Sequence, residues 1–111
     1  FWATWCGPCI KEFPAAQLLQ DNFSNNKEIV FMYASIDEDI MRWESFLSNH
    51  PELLGVHFIL SNIEAKNVLN AYNIRSVPRY LLIDKMGRII DSNAESPSSE
   101  RIELIIADLL R

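Results

Sequence analysis

The sequence predicts a mixed α/β domain in which helices cover both faces of a central sheet. Three observations carry that expectation. Short apolar runs alternate with amphipathic helical stretches through most of the chain, the order that builds a parallel sheet with crossover helices. The chain then closes on a hairpin and a final helix, which makes the sheet mixed. It opens with Cys6-Gly7-Pro8-Cys9, set between an apolar aromatic segment and a helix. A C-x-x-C in that setting reads as a redox dithiol rather than as half a metal site.

Phe1-Trp2-Ala3 reads as the tail of a longer apolar strand, so the sequence is expected to be a fragment whose first strand is truncated. Ile10 to about Asn22 is predicted helical, with Pro14 kinking it. Pro8 falls in the first turn, where a missing N–H does no harm. Ile29 to Ala34 is a continuous apolar run, expected as a central parallel strand covered on both faces. A helix from about Glu38 to Asn49 should turn Ile40, Trp43, Phe46 and Leu47 to one side, and Val56 to Leu60 should be extended. Ser61 and Glu64 have the spacing of a capping box, and the helix they start presents Ala65, Val68, Leu69 and Tyr72 before Asn73 ends it. Tyr80 to Asp84 and Ile89 to Asp91 form the hairpin across a turn at Gly87. Ser96-Pro97 reads as the N-cap and first position of a last helix, with Ile102, Ile105, Ile106, Leu109 and Leu110 inward.

At 111 residues the chain is expected to be one domain, residues 1–111, with a single core. A formal charge of −5 and scattered basic residues exclude a nucleic-acid or anionic-membrane surface. No apolar run approaches the roughly 18 residues that a membrane span needs. Two cysteines cannot make a disulfide scaffold, and closing so short a loop constrains the unfolded chain very little. Chemistry is the better reason for the pair. Zinc would need His50 and His57 as well, and their spacing, broken by Pro51, fits no usual zinc pattern.

A thiol attacks as thiolate, and its unperturbed pKa of about 8.5 leaves little of that form at neutral pH. Cys6 precedes a helix, where unpaired N–H groups and the helix dipole favour negative charge. Cys9 lies one turn inside. Cys6 is therefore expected to be the nucleophile that forms a mixed disulfide with the target, and Cys9 the resolving thiol that attacks Cys6 and releases it.

Phe1-Trp2-Ala3-Thr4-Trp5-Cys6-Gly7-Pro8-Cys9, with Pro14, Tyr72-Asn73-Ile74, Ser76-Val77-Pro78 and the hairpin, resembles the thioredoxin-like superfamily, and within it the TlpA-like branch of bacterial thiol–disulfide oxidoreductases. The resemblance implies a thioredoxin-like fold, with a helical insertion from Asp37 to Ser61 after the second strand. It implies a cis Val77–Pro78 bond beside the cysteines; without the family, Pro78 reads by default as a trans proline starting a strand. It makes Trp5, Gly7, Pro8, Val77 and Pro78 the substrate-contact set, and Glu12, three residues after Cys9, a proton-transfer or pKa-tuning group. A solvated Lys11–Glu12 surface pair is the competing reading of Glu12. Arg79 departs from the threonine common after the cis-proline and leaves specificity open.

The expected activity is dithiol–disulfide exchange that reduces protein disulfides, with apocytochrome c maturation as one family role. No cofactor is expected beyond the Cys6–Cys9 disulfide. The expected partners are protein thiol or disulfide substrates and a membrane reductase that donates electrons. The implied setting is periplasmic or otherwise extracytoplasmic, with a tether upstream of residue 1, and the protein is expected to be a monomer. A redox-inactive binding module on the same fold and a peroxiredoxin-like antioxidant enzyme are the alternatives. The latter would carry a lone peroxidatic cysteine, which a C-x-x-C at the helix start does not match.

Overall fold

The computed structural model describes residues 1–111. Its elements run α1 (Gly7–Lys11), α2 (Phe13–Asn22), β1 (Met32–Ser35), α3 (Ile40–Asn49), β2 (Val56–Ile59), α4 (Asn62–Ala71), β3 (Leu82–Ile83), β4 (Ile89–Asp91) and α5 (Ile102–Leu109). Strands β1 and β2 are parallel, with Met32 opposite Val56 and Ser35 opposite Ile59. On the other side of β1, Trp2 N–H donates to Ala34 O at 3.1 Å and Ile36 N–H donates to Trp2 O at 2.9 Å. Phe1 in turn bonds Arg79, its nitrogen donating to Arg79 O at 2.8 Å. Strand β3 then pairs antiparallel with β4. The strands thus fall into two pairs, β1–β2 and β3–β4, with Trp2 bridged to Ser35 beside the first pair and Phe1 hydrogen-bonded to Arg79.

The predicted helix from Ile10 is two helices rather than one kinked helix. Pro14 has no N–H for the carbonyl of Ile10, and its ring crowds that carbonyl. The chain breaks at Glu12, whose N–H donates to Cys9 O at 3.1 Å, and restarts with Ala16 N–H on Glu12 O at 2.9 Å. Ser61 and Glu64 do form the capping box, each side chain reaching the other's backbone N–H. Asn73 takes the left-handed conformation at φ 52°. Helix α3 starts later than expected, at an N-cap Asp39 that accepts Arg42 N–H.

Two expectations about burial need correction. The run from Ile29 to Ala34 is not covered on both faces: Val30 and Met32 are exposed and only its C-terminal end, Ala34 with Ser35, is buried. Ile40 and Leu109 also face outward, although Trp43, Phe46 and Leu47 pack on the core as expected. Ser96 does not cap α5, which begins at Ile102 without a side-chain cap. The intervening residues turn instead, Ser99 N–H donating to Ser96 O at 3.0 Å, because Glu12 holds Ser98.

The core is divided. Trp2, Ala3, Cys6, Cys9, Phe13 and Leu53 form one buried cluster, so the dithiol is part of the main core. Trp2 meets Phe13 edge-to-face at 5.1 Å between ring centroids. Leu19, Ile102 and Ile106 form a second cluster beneath α5. Gly55, at φ 114°, lets the chain enter β2 where a Cβ would come within 2.9 Å of Phe31 O and of the Tyr33 ring.

Candidate active site

Cys6 is the N-cap of α1. Its backbone is extended (φ −94°, ψ 98°), and its sulfur accepts Cys9 N–H at 3.2 Å. The two sulfurs form a disulfide with Cα atoms 5.3 Å apart. Because the helix breaks after Lys11, α1 is only five residues long. Once the disulfide is reduced, the direct N–H contact at Cys6, more than a long helix dipole, would favour charge on this sulfur. Cys6 and Cys9 are both buried, at 4% and 2% exposure, so the distinction between them is position at the cap rather than depth.

The rim around the sulfurs is open. Trp5 is 58% exposed, and Gly7 and Pro8 are exposed beside it. Val77 packs on the cluster that contains both cysteines, and the Val77–Pro78 peptide bond is cis. The Phe1–Arg79 pairing positions this loop, because it sets the residue after Pro78 against the strand that leads into the dithiol. Arg79 is half-buried and its guanidinium donates to Ser92 O at 3.2 Å, which ties it to the end of the hairpin.

Glu12 sits at the break between α1 and α2. Its carboxylate accepts Ser98 N–H at 3.1 Å and the Ser98 hydroxyl at 2.8 Å. It is therefore neither half of a solvated pair with Lys11 nor free; it is pinned to the loop before α5. Burial pushes the Tyr80 phenol well above its ordinary pKa, and the charge of Glu12 pushes it the same way. His50 caps the end of α3 and pairs with Glu52 at 3.0 Å, while His57 Nε2 contacts Leu53 O at 2.9 Å.

One cluster escaped the reading of the sequence. Asp37, 3% exposed, accepts the Thr4 amide at 3.0 Å and the hydroxyls of Thr4 and Ser35 at 2.6 Å each. A Ser-x-Asp at the carboxyl end of a parallel strand was the available signal, since sites in α/β sheets gather at those ends. Beside it lies a cleft of about 790 Å³ lined by Trp5, Ile36, Arg42, Ala65 and Lys66 among others.

A family model described as thioredoxin-like matches residues 1–89. ResA, a thiol-disulfide oxidoreductase of Bacillus thuringiensis, is 25% identical over 93% of this chain and 57% of its own length. ResA of Bacillus subtilis is 32% identical over 81% of this chain and 48% of its own. The chain thus spans about half the length of these curated relatives. The crystal structure of a Bacteroides vulgatus protein assigned as a thiol-disulfide oxidoreductase superposes with a TM-score of 0.85, at 35% identity, over 97% of this chain and 73% of that one. A model match across most of the chain, and a shared fold with a 35%-identical protein assigned as a thiol–disulfide oxidoreductase, make this chain a member of the thioredoxin-like family, in its TlpA-like branch of thiol–disulfide oxidoreductases.

Proposed function

We propose that the protein reduces disulfides in other proteins by dithiol exchange through Cys6 and Cys9, as a single domain with no cofactor beyond that pair. The observation that carries the reading is a Cys6–Cys9 disulfide at a helix start, with Cys6 capping the helix and the Val77–Pro78 loop packed on the same cluster. In the reduced protein the Cys6 thiolate attacks one sulfur of the target disulfide. That S–S bond breaks, a Cys6–target bond forms, and the first target thiolate leaves. Cys9 then gives up its proton and attacks Cys6 Sγ, so the Cys6–Cys9 bond forms and the second target thiolate departs and is protonated. Two electrons have passed to the target. A dithiol donor must return them, and a membrane reductase fits the extracytoplasmic setting that the family branch suggests.

Trp5, Gly7, Pro8, Val77 and Pro78 make the contact rim. The backbone of the 77–78 loop receives an extended target segment much as a sheet edge receives a strand. Reduction of apocytochrome c cysteines before haem attachment is one role consistent with the similarity to ResA proteins. The test is reduction of insulin disulfides by the protein with dithiothreitol as donor. Cys6-dependent turnover is expected, with Cys6→Ser at the uncatalysed rate; equal rates in the two proteins remove the reading.

Glu12 is proposed to set the readiness of Cys9. A negative charge near a thiol disfavours its thiolate, so Glu12→Gln is expected to make Cys9 ionise at lower pH and to change the rate of mixed-disulfide release. A titration of both thiols by their ultraviolet absorbance checks this. Unchanged titrations and an unchanged release rate assign Glu12 to the Ser98 tether alone.

A further inference from the structure

The turn that delivers Cys6 to the helix is held from outside by a buried carboxylate. Residues Ala3 to Cys6 form a tight turn, closed by Cys6 N–H donating to Ala3 O at 3.0 Å. Thr4 and Trp5 are its central residues. In such a turn the amide of the first central residue has no partner within the turn, and here that amide points to Asp37, at 3.0 Å from Oδ2 and 3.2 Å from Oδ1. The Thr4 hydroxyl donates to Oδ1 at 2.6 Å, and the Ser35 hydroxyl donates to Oδ2 at 2.6 Å. Ser35 Oγ is itself oriented by accepting Asp37 N–H at 2.9 Å.

A carboxylate this deeply buried is costly unless paired or fully hydrogen-bonded. Asp37 belongs to no ion pair, so one amide and two hydroxyls carry its charge. All three come from the Thr4 turn and from Ser35, which is fully buried beside Trp2 in the sheet. The carboxylate therefore locks the turn to the end of β1 in one arrangement. A weaker or mobile acceptor would not do so, because charge-assisted bonds of this length are the strong ones.

We propose that Asp37 is a positioning residue for the dithiol: through Thr4 it holds the turn that sets Cys6 in its extended N-cap conformation and presents Trp5 at the rim. The inference rests on the dithiol-exchange reading. The carboxylate touches neither sulfur nor substrate. Its effect reaches Cys6 by fixing the backbone two residues earlier, where a small rotation would withdraw the sulfur from Cys9 N–H. Asp37 also lines the cleft next to Trp5, so the same lock shapes the surface that a target meets.

The experiment is the pH profile of iodoacetamide alkylation of Cys6 in the reduced protein, with melting curves as a check on folding. In Asp37→Ala and in Thr4→Val the alkylation midpoint should move to higher pH, and Thr4→Ser should restore it. Insulin reduction by Asp37→Ala should lose about tenfold in kcat/KM, a barrier change of about 1.4 kcal/mol. Loss of the Asp37 charge acting only through space would move the midpoint the other way, and Thr4→Val removes no charge. A midpoint that stays or falls in folded variants, with only the melting temperature reduced, overturns the proposal. If Asp37→Ala does not fold, Thr4→Val decides alone. The alkylation profile needs no disulfide substrate, so it answers even if insulin is not reduced.

Discussion

Cys9→Ser is expected to turn a catalyst into a trap. Cys6 in the variant still caps α1, and the backbone N–H of residue 9 that approaches its sulfur is retained. Attack on a target disulfide should therefore proceed. Release should not. In the wild type Cys9, the proposed resolving thiol, is three residues away, and well-oriented intramolecular partners act at effective concentrations of about 10⁵ M or more. A free thiol at millimolar concentration cannot replace that, so insulin turnover should fall by at least about 10³-fold. A covalent complex should accumulate instead, visible as a dithiothreitol-sensitive band on a non-reducing gel and as the summed mass of the two partners. Turnover within a few-fold of wild type would mean that some other thiol resolves the intermediate, and the pairing of roles would fail. Applied to an extract of the native compartment, the same variant should retain the physiological target.

Trp2→Ala should cost more stability than any other single truncation here. Trp2 is 3% exposed, packs on Phe13 at 5.1 Å and on Phe46 at 5.3 Å, and its backbone bonds Ala34 and Ile36 at the end of β1. Removing a buried indole leaves a cavity between Phe13 of α2 and Phe46 of α3, neither of which can collapse freely. A loss of about 3–5 kcal/mol is expected, against a total stability of about 5–15 kcal/mol for a domain of ordinary size. Urea denaturation should show the midpoint falling steeply with little change in slope. Trp2→Phe should be far milder. It keeps the ring contact and deletes an indole N–H that has no acceptor among the protein atoms. If Trp2→Ala costs under about 1 kcal/mol, the aromatic cluster does not carry the core.

Much of this arrangement is legible in the residues themselves, because it rests on local rules. The Ser61–Glu64 capping box, the turn at Gly87 and the left-handed Asn73 each follow from a few neighbouring side chains. The position of Cys6 at a helix start follows from Gly7-Pro8 in the same way. What escaped needed a distant partner. Ser96-Pro97 has the form of a helix start, yet Glu12 claims Ser98 from the other end of the chain and delays α5 to Ile102. Asp37 reads as the polar end of a strand until Thr4 is set beside it, 33 positions earlier. The exposure of Val30 and Met32 was equally hidden, since an apolar run does not say which of its faces the helices will cover. Pro14 marks a disturbance in the sequence itself, and the Glu12 break shows its extent.

The bond between Phe1 and Arg79 joins residues 78 positions apart, and through it the dithiol turn meets the Val77–Pro78 loop. Bringing such distant segments together carries a loop-closure entropy before any contact rewards it. Topologies dominated by pairings of this kind fold in milliseconds to seconds rather than microseconds. The dithiol turn and the loop that packs on it are thus far apart along the chain and are synthesised at different times. Until the later one docks, the cluster that holds Cys6 and Cys9 lacks the Val77 contact it has in the fold. The surface proposed to receive a target therefore exists only in the finished fold, and the C-G-P-C segment alone does not carry it.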